Sequence, residues 1–312
     1  MPERFQPAGN PRIIQMVDAL NSRSHLFPGL CALLLLGLST AVAQTPWSFA
    51  VMSDPQFGMY AKNRNFAQEE ANFEFVIANV HRLRPAFVVI CGDLVNKTGD
   101  LKQIAEYKRI LKQLDPGIKV YSVAGNHDVG NVPTAQSIAA FHKNIGPDYY
   151  SFTAKNILGI VLDSNLIRAP QADPKAAASQ KQWLVRTLRN AKSDSGDLIV
   201  VFQHVPYFVK SADEPDNYFN IPKPARREYL NLLARGGVKY VFAGHTHHNA
   251  GGKDGPLNEI VTGAVGMPLG GSVSGFRMVA VQGTRLEAPW FCLGGVPNRF
   301  DLQNPFHTPC AQ

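Results

Sequence analysis

Short apolar runs recur along this chain, and each breaks off at a side chain able to bind a metal ion. Phe49 to Ser53 is followed by Asp54 and Gln56, and Ala86 to Cys91 by Gly92-Asp93. Lys119 to Ala124 leads into Gly125-Asn126-His127-Asp128, Leu198 to Gln203 into His204, and Tyr240 to Ala243 into Gly244-His245-Thr246-His247. Short apolar runs bounded by glycine and polar residues read as buried strands. Open α/β sheets carry their sites outside the carboxyl ends of the strands, so these five ends are expected to face one crevice.

Helical patterns separate the first strands. Phe73, Val76, Ile77, Val80 and Leu83 share one apolar face, as do Ile104, Tyr107, Leu111 and Leu114. The order β-α-β-α-β marks the α/β class. A helix near Thr134 to Lys143 follows, and then Tyr149 to Thr153 and Ile157 to Leu162 lie close enough to pair as a hairpin, which makes mixed sheets the expectation. Further helices are expected around Gln180 to Ala191 and Arg226 to Ala234, with late strands near Glu259, Phe276 and Arg285. The glycine-rich stretch Gly263 to Gly275 reads as a loop. No long polar linker interrupts Trp47 to Phe291, so a single catalytic domain over residues 44–293 is expected, with 294–312 as a tail.

Carboxylate, imidazole and amide oxygens in this mixture suit a pair of divalent ions (Mn, Fe, Zn or Mg), and the absence of thiolates argues against a structural zinc knot. Such a pair fits phosphoryl transfer. Two metals roughly 3.5–4 Å apart neutralise the non-bridging oxygens and share a hydroxide that attacks phosphorus. A separate acid must protonate the leaving oxygen, and His127 suits that role if Asp128 or another acceptor orients its ring.

Asp54-x-Gln56, Gly92-Asp93, Gly125-Asn126-His127-Asp128, His204 and Gly244-His245-Thr246-His247 together resemble the motifs of the calcineurin-like metallophosphoesterases, over roughly Phe49 to Val281. Ser53-Asp54-Pro55-Gln56-Phe57-Gly58, the run Gly125 to Thr134 and Gly244 to Gly252 are most similar to the branch named after calcineurin-like phosphoesterase domain-containing protein 1, whose members are associated with serine/threonine phosphoprotein dephosphorylation. The resemblance implies a four-layer α/β/β/α sandwich with two central mixed sheets and the metals at the strand ends. It also implies that Asp54, Gln56, Asp93 and His247 surround the first metal, that Asp93, Asn126, His204 and His245 surround the second with Asp93 bridging, and that His127 is the catalytic imidazole with Asp128 as its orienting partner. Most of the superfamily has histidine where this chain has Gln56. An amide oxygen is a poorer ligand for a borderline metal, so the first ion is expected to be held less tightly or to be a harder one.

The N-terminus reads differently. The apolar run Leu30 to Leu38, preceded by Arg12 and Arg23 and followed by Ala41-Val42-Ala43, has the form of a signal peptide over residues 1–43, with Met16 as an alternative start. Export to a periplasmic or extracellular space is the expectation, with an uncleaved membrane anchor as the alternative; the run is shorter than the roughly 20 residues a spanning helix needs. After cleavage Cys91, Cys292 and Cys310 remain, and Cys292 with Cys310 are left open as a disulfide or as two thiols.

The formal charge of +7 comes from scattered residues without a basic stripe, which excludes a nucleic-acid partner and leaves a phosphorylated substrate as the expected one. The segment Pro206 to Pro224 follows a metal ligand and carries Tyr218 and Phe219, candidates for substrate contact. Its acids Asp213, Glu214 and Asp216 predict a preference for cationic flanks. His248 is a further substrate candidate, with a solvated loop histidine as the alternative. Three functions remain open: a phosphomonoesterase, a phosphodiesterase for cyclic nucleotides or lipid headgroups, and a non-catalytic metal- or phosphate-binding module. His127 and Asp128 argue against the third. The sequence leaves oligomeric state undecided.

Overall fold

A computed structural model describes residues 45–193 and 197–306. The expected leader and Cys310 lie outside them. Cys292 is disulfide-bonded, and Cys91 is a buried free thiol.

The first half of the chain runs through β1 (Trp47–Met52), α1 (Ala67–Leu83), β2 (Phe87–Ile90), α2 (Leu101–Leu111), β3 (Lys119–Ser122), α3 (Asn126–Val129), α4 (Ala135–Asn144), β4 (Tyr150–Ala154) and β5 (Ile157–Val161). It continues through α5 (Ser164–Arg168), α6 (Pro174–Ser193), β6 (Leu198–Phe202), α7 (Lys223–Arg235), β7 (Tyr240–Ala243), β8 (Ala250–Asp254), β9 (Leu257–Val261), β10 (Gly275–Gln282), β11 (Arg285–Glu287) and β12 (Trp290–Cys292).

Two mixed sheets result. One has the order β11-β10-β1-β2-β3, with β12 also pairing with β10, and the other β4-β5-β6-β7-β9-β8. The central neighbours are parallel: Val51 pairs with Val89 across β1 and β2, and Val201 with Val241 across β6 and β7. The parallel strands therefore end on the same side, which brings the motif residues together.

The two-residue period of the strands builds the layers. Phe49, Val51, Phe87 and Val89 of one sheet meet Val200, Phe202 and Phe242 of the other in a dry layer between the sheets. Phe49 and Phe87 stack there with centroids 4.7 Å apart. The alternate residues Ala50, Met52, Val88 and Ile90 face Phe73, Val76, Ile77 and Val80 of α1 and Tyr107 and Ile110 of α2. On the far side Ile199 and Val201 pack against Leu184 and Leu188 of α6 and Leu230 and Leu233 of α7. Each fully buried side chain of this size contributes about 1.5–3 kcal/mol. The expected α/β/β/α sandwich is the observed one.

Four elements have no counterpart in the sequence reading. Strand β8, Ala-Gly-Gly-Lys-Asp, lacks β-branched residues and is created by antiparallel pairing with β9. The three-residue β12 pairs with β10, and α3 and α5 are single turns too short to show a helical period. Part of the expected tail also joins the domain: Val296 and Phe300 pack against the helix-side core. Among the described residues no helix is long and apolar enough to cross a membrane.

Candidate metal centre

Three of the five strand ends carry their candidate ligands on an uncommon backbone. Asp54, Gln56, Asp93, His245 and His247 have φ of 52°, 41°, 50°, 72° and 57°. Non-glycine residues rarely adopt such angles, and they persist where surrounding structure holds them, most often at functional sites. The glycines of the motifs have a steric explanation. A Cβ on Gly125 would lie 2.0 Å from the Asp93 nitrogen, and one on Gly244 would lie 1.7 Å from Ser53 Oγ. Only glycine lets these strand ends approach so closely.

The ligating atoms fall into two groups that share a member. Atoms of Asp93, His204 and His245 lie within 4.8 Å of one another, as do those of Asp54, Asp93 and His247. Asp93 Oδ2 is 3.2 Å from His204 Nε2, and Asp54 Oδ1 is 3.3 Å from His247 Nε2. Asn126 joins the first group, its Oδ1 2.9 Å from His204 Nε2. Gln56, two residues after Asp54, donates its amide nitrogen to Asn96 Oδ1 at 3.1 Å, so Oε1 is the atom left able to act as a ligand.

The residues fit a pair of cations. Gln56 Oε1 and Asp54 Oδ1 are buried and take part in no hydrogen bond, which is costly for oxygens unless another partner compensates. Each histidine is anchored by one ring nitrogen on a backbone carbonyl: His204 Nδ1 on Cys91 at 2.8 Å, His247 Nδ1 on Met267, and His245 Nε2 on Tyr218 at 3.0 Å. A carbonyl only accepts, so each anchored nitrogen carries a proton and the other ring nitrogen is the one that could meet a metal.

Burial tends to raise the carboxyl pKa values of Asp54 and Asp93, but His247 next to Asp54 and His204 next to Asp93 outweigh it, lowering the first and holding the second well below the ordinary range. Burial also opposes charge on His204, yet Asp93 raises it to about 9, so a proton and a cation compete for its Nε2. Burial and the neighbouring charge of His204 lower His245 to about 4, leaving a neutral imidazole suited to ligation.

His127 and Asp128 correct the sequence reading in one respect. The backbone nitrogen of His127 donates to Asp93 Oδ1 at 2.7 Å, and its ring Nδ1 donates to the carbonyl of Asn96 at 2.8 Å. Asp128 does not orient the ring. Its carboxylate accepts from the nitrogens of Gly125, Leu94 and Val95 at 2.8, 3.0 and 3.2 Å, closing the N-terminus of α3 and fastening the loop after β2. A buried oxygen surrounded by amide donors is satisfied locally and has no reason to turn toward a half-exposed imidazole.

The segment after His204 reaches the ligands directly. Tyr218 presents its hydroxyl to Asn126 Nδ2 at 3.3 Å, and its ring centroid is 4.9 Å from that of His245; Phe219 is 5.8 Å away. The two rings are 46% and 36% exposed, enough to contact a substrate. His248 lines a groove of about 270 Å³ with Phe219 and Lys210, while its Nδ1 bonds the Thr246 carbonyl.

The acids behind the expected preference for cationic flanks already have partners, in backbone nitrogens of the loop and in two arginines of α7. Glu214 accepts from the nitrogens of Val209, Lys210 and Ser211, Asp216 pairs with buried Arg226, and Asp213 pairs with Arg227. Their charges serve the loop rather than a ligand.

Sequence reasoning missed Asn96, Ser53 and Arg168. Asn96 closes the run Gly92-Asp93-Leu94-Val95, and its polarity after two apolar residues was a usable signal. Ser53 Oγ donates to Asp54 Oδ2 at 2.5 Å. The carbonyls of Cys91, Met267 and Tyr218 carry no sequence signal at all, since every residue has one. Arg168 lies over Tyr218, a pairing made only by the fold.

Residues 48–249 match the family model of the calcineurin-like phosphoesterases. The chain is 34% identical over 263 residues to serine/threonine-protein phosphatase CPPED1 of Mus musculus, covering 80% of this chain and 84% of that protein. A dimetal phosphatase from Danio rerio superposes with a TM-score of 0.57 at 15% identity, covering 79% of this chain and 96% of the other. A purple acid phosphatase from yellow lupin seeds gives 0.59 at 14% identity, covering 81% of this chain and 52% of the other. At those identities the two structures bear on the fold alone.

Proposed function

The chain belongs to the calcineurin-like phosphoesterase family and is a metal-dependent phosphatase, and on that premise we propose that it hydrolyses phosphomonoesters, phosphoserine or phosphothreonine in a protein or a small phosphate ester, at two divalent ions. The observation that carries the reading is the shared position of Asp93 between two ligand groups. Asp54, Gln56, Asp93 and His247 would hold one ion, and Asp93, Asn126, His204 and His245 the other. When bound, the ions would neutralise charge on the phosphate oxygens and lower the pKa of water to supply the nucleophile.

The protein's own groups do the rest. The carbonyls of Cys91, Met267 and Tyr218 keep the three ligand histidines in fixed tautomers, so no reorganisation is needed at the moment of reaction. With Nδ1 of His127 committed to Asn96, its Nε2 is the atom that holds a proton for the leaving oxygen. Its backbone bond to Asp93 ties that acid to the shared ligand. Tyr218 and Phe219 form the aromatic wall on which the alcohol part of the substrate would rest.

Export through the leader at residues 1–43 belongs to the same proposal; N-terminal sequencing of secreted material should begin at Gln44, and a chain retaining earlier residues would speak for an anchor. Activity is tested with the chain from Gln44 onward, reconstituted with Mn, Fe, Zn or Mg and given aryl phosphomonoester and phosphodiester substrates. Faster monoester turnover is expected. Preference for the diester would favour a phosphodiesterase, and bound metal without turnover a binding module.

A further inference from the structure

Arg168 closes α5 at the edge of the metal centre without belonging to it. Its guanidinium lies over the Tyr218 ring, Cζ 4.8 Å from the centroid, and Nη1 reaches Asn131 Oδ1 at 3.5 Å. Among the described residues it forms no ion pair. Stacking on an aromatic face fixes the orientation of a guanidinium while leaving its donors directed outward, and a planar donor fork matches carboxylate and phosphate oxygens. Half withdrawn from water, Arg168 retains an attraction for an anion that no carboxylate among the described residues satisfies.

Two neighbouring observations give that attraction a direction. Tyr218, on which Arg168 rests, bonds Asn126 through its hydroxyl and His245 through its carbonyl, so the cation stands one aromatic ring from the ligands. Beyond Phe219 the groove is lined by Lys210, which also has no ion pair among the described residues, and the Glu214 carboxylate there is taken up by backbone nitrogens. Two cations without a carboxylate partner among the described residues, Arg168 and Lys210, thus stand on this side of the crevice, with the Glu214 carboxylate in the same groove as Lys210. With a ring as spacer, the guanidinium serves a group adjacent to the scissile phosphate better than the phosphate itself.

We propose that Arg168 is a specificity-determining residue that binds a second anionic group, a carboxylate or a phosphate, carried by the substrate beside its scissile phosphate. The inference rests on the phosphomonoesterase reading. Arg168 touches none of the proposed ligands, so its replacement should leave metal content and the chemical step unchanged.

The test compares the metal-loaded wild type with Arg168→Gln and Arg168→Lys on matched phosphopeptides bearing Asp, Asn or Lys beside phosphoserine, and on the small pair 3-phosphoglycerate and glycerol 3-phosphate. Wild type should favour the Asp peptide or 3-phosphoglycerate, and whichever pair discriminates identifies a peptide or a small acid as the source of the anion. In Arg168→Gln the KM for the favoured substrate should rise about tenfold, the scale of a lost charge-assisted hydrogen bond, with kcat and the neutral partner's KM nearly constant. Arg168→Lys should fall between, since it keeps charge but loses the stacked fork. An unchanged acidic-to-neutral ratio, or an equal loss on every substrate, would overturn the proposal. If the wild type turns over none of them, the phosphomonoesterase reading fails; the role of Arg168 is then decided by equilibrium binding of the same peptides as phosphonates, where loss of the Asp-to-Asn affinity ratio supports it and an unchanged ratio refutes it.

Discussion

His127 Nδ1 donates to the carbonyl oxygen of Asn96 at 2.8 Å, while Asn96 Oδ1 accepts from the amide of Gln56 at 3.1 Å. One residue thus orients both the proposed leaving-group acid and the weakest of the proposed ligands. The link separates the acid from Asp128, and the roles of the Asn-His-Asp sequence divide accordingly.

His127→Ala should lower kcat by roughly 10²–10⁴, the usual contribution of a positioned acid, while metal content and thermal midpoint stay near wild type. Asp128→Ala should instead act on stability, by about 1–3 kcal/mol or more, because three buried amide nitrogens lose their acceptor. Kinetics, metal analysis and thermal denaturation on both variants check the division. Loss of activity in Asp128→Ala without loss of stability would restore a catalytic role to that carboxylate.

Chelator titration should remove one ion well before the other, since the proposed site containing Gln56 sets its amide oxygen beside a single imidazole, His247, whereas the Asn126 site has two, His204 and His245. Gln56→His should bring the two steps together, and Gln56→Ala should widen the gap. Metal content at each chelator concentration gives the answer; simultaneous loss of both ions in the wild type would mean that Gln56 does not limit retention.

Gly244→Ala places a methyl group 1.7 Å from Ser53 Oγ and 2.8 Å from Asp54 Oδ2. The strand ends must then separate, so the expected outcome is a markedly lower thermal midpoint together with loss of metal. A variant with normal stability and normal metal content would show that the loop relaxes without penalty.

Arg226 is fully buried and donates to the carbonyls of Ile221, Ala212 and Glu214 and to the Asp216 carboxylate, so it holds the loop that carries Tyr218. Arg226→Met should destabilise the fold by about 1–3 kcal/mol or more, because three carbonyls lose their donor while the half-exposed Asp216 can turn to water. It should also expose residues 206–222 to limited proteolysis and raise KM. Unchanged proteolysis of this segment would assign the loop's order to Glu214, which accepts from the nitrogens of residues 209–211, and to Glu259, whose carboxylate accepts from those of Tyr207 and Phe208.

Asp163 is buried, and burial with the nearby charge of Asp148 raises its carboxyl from 3.8 to about 7, against the Asn165 donors. Its Oδ2 has no hydrogen-bond partner, consistent with a protonated acid. The folded chain then holds a proton that the unfolded chain releases, so this stabilisation is complete below about pH 4 and fades as pH rises through about 7. Asp163→Asn should flatten that decline in thermal midpoint between about pH 4 and 7, a window set by the same shift. A wild-type slope preserved in the variant would place the titration elsewhere.

The class of fold and the kinds of residue gathered at the strand ends were legible because both are written in local patterns. Apolar runs such as Ala86 to Cys91 and Leu198 to Gln203 have the length and flanks of buried strands, and the motif residues occupy their carboxyl ends. The helical faces of α1 and α2 were equally readable from their spacing. The short turns α3 and α5 and the strand β8 were not, because their conformation comes from capping and pairing partners distant in sequence.

What the sequence determined by itself, then, was the kind of side chain at each strand end, since residue type and strand period are local properties. The tertiary structure decided how those side chains are aimed and what surrounds them. Asp93 is shared because parallel strands bring two ligand groups to either side of it. His127 answers to Asn96 because a loop carbonyl happens to reach its ring. The acids of the loop at 206–224 are spent on Arg226, Arg227 and backbone nitrogens, and Arg168 lies over Tyr218 without a carboxylate partner among the described residues. Hydrogen bonds and charge pairs of this kind join residues far apart in the chain, and no local pattern records them.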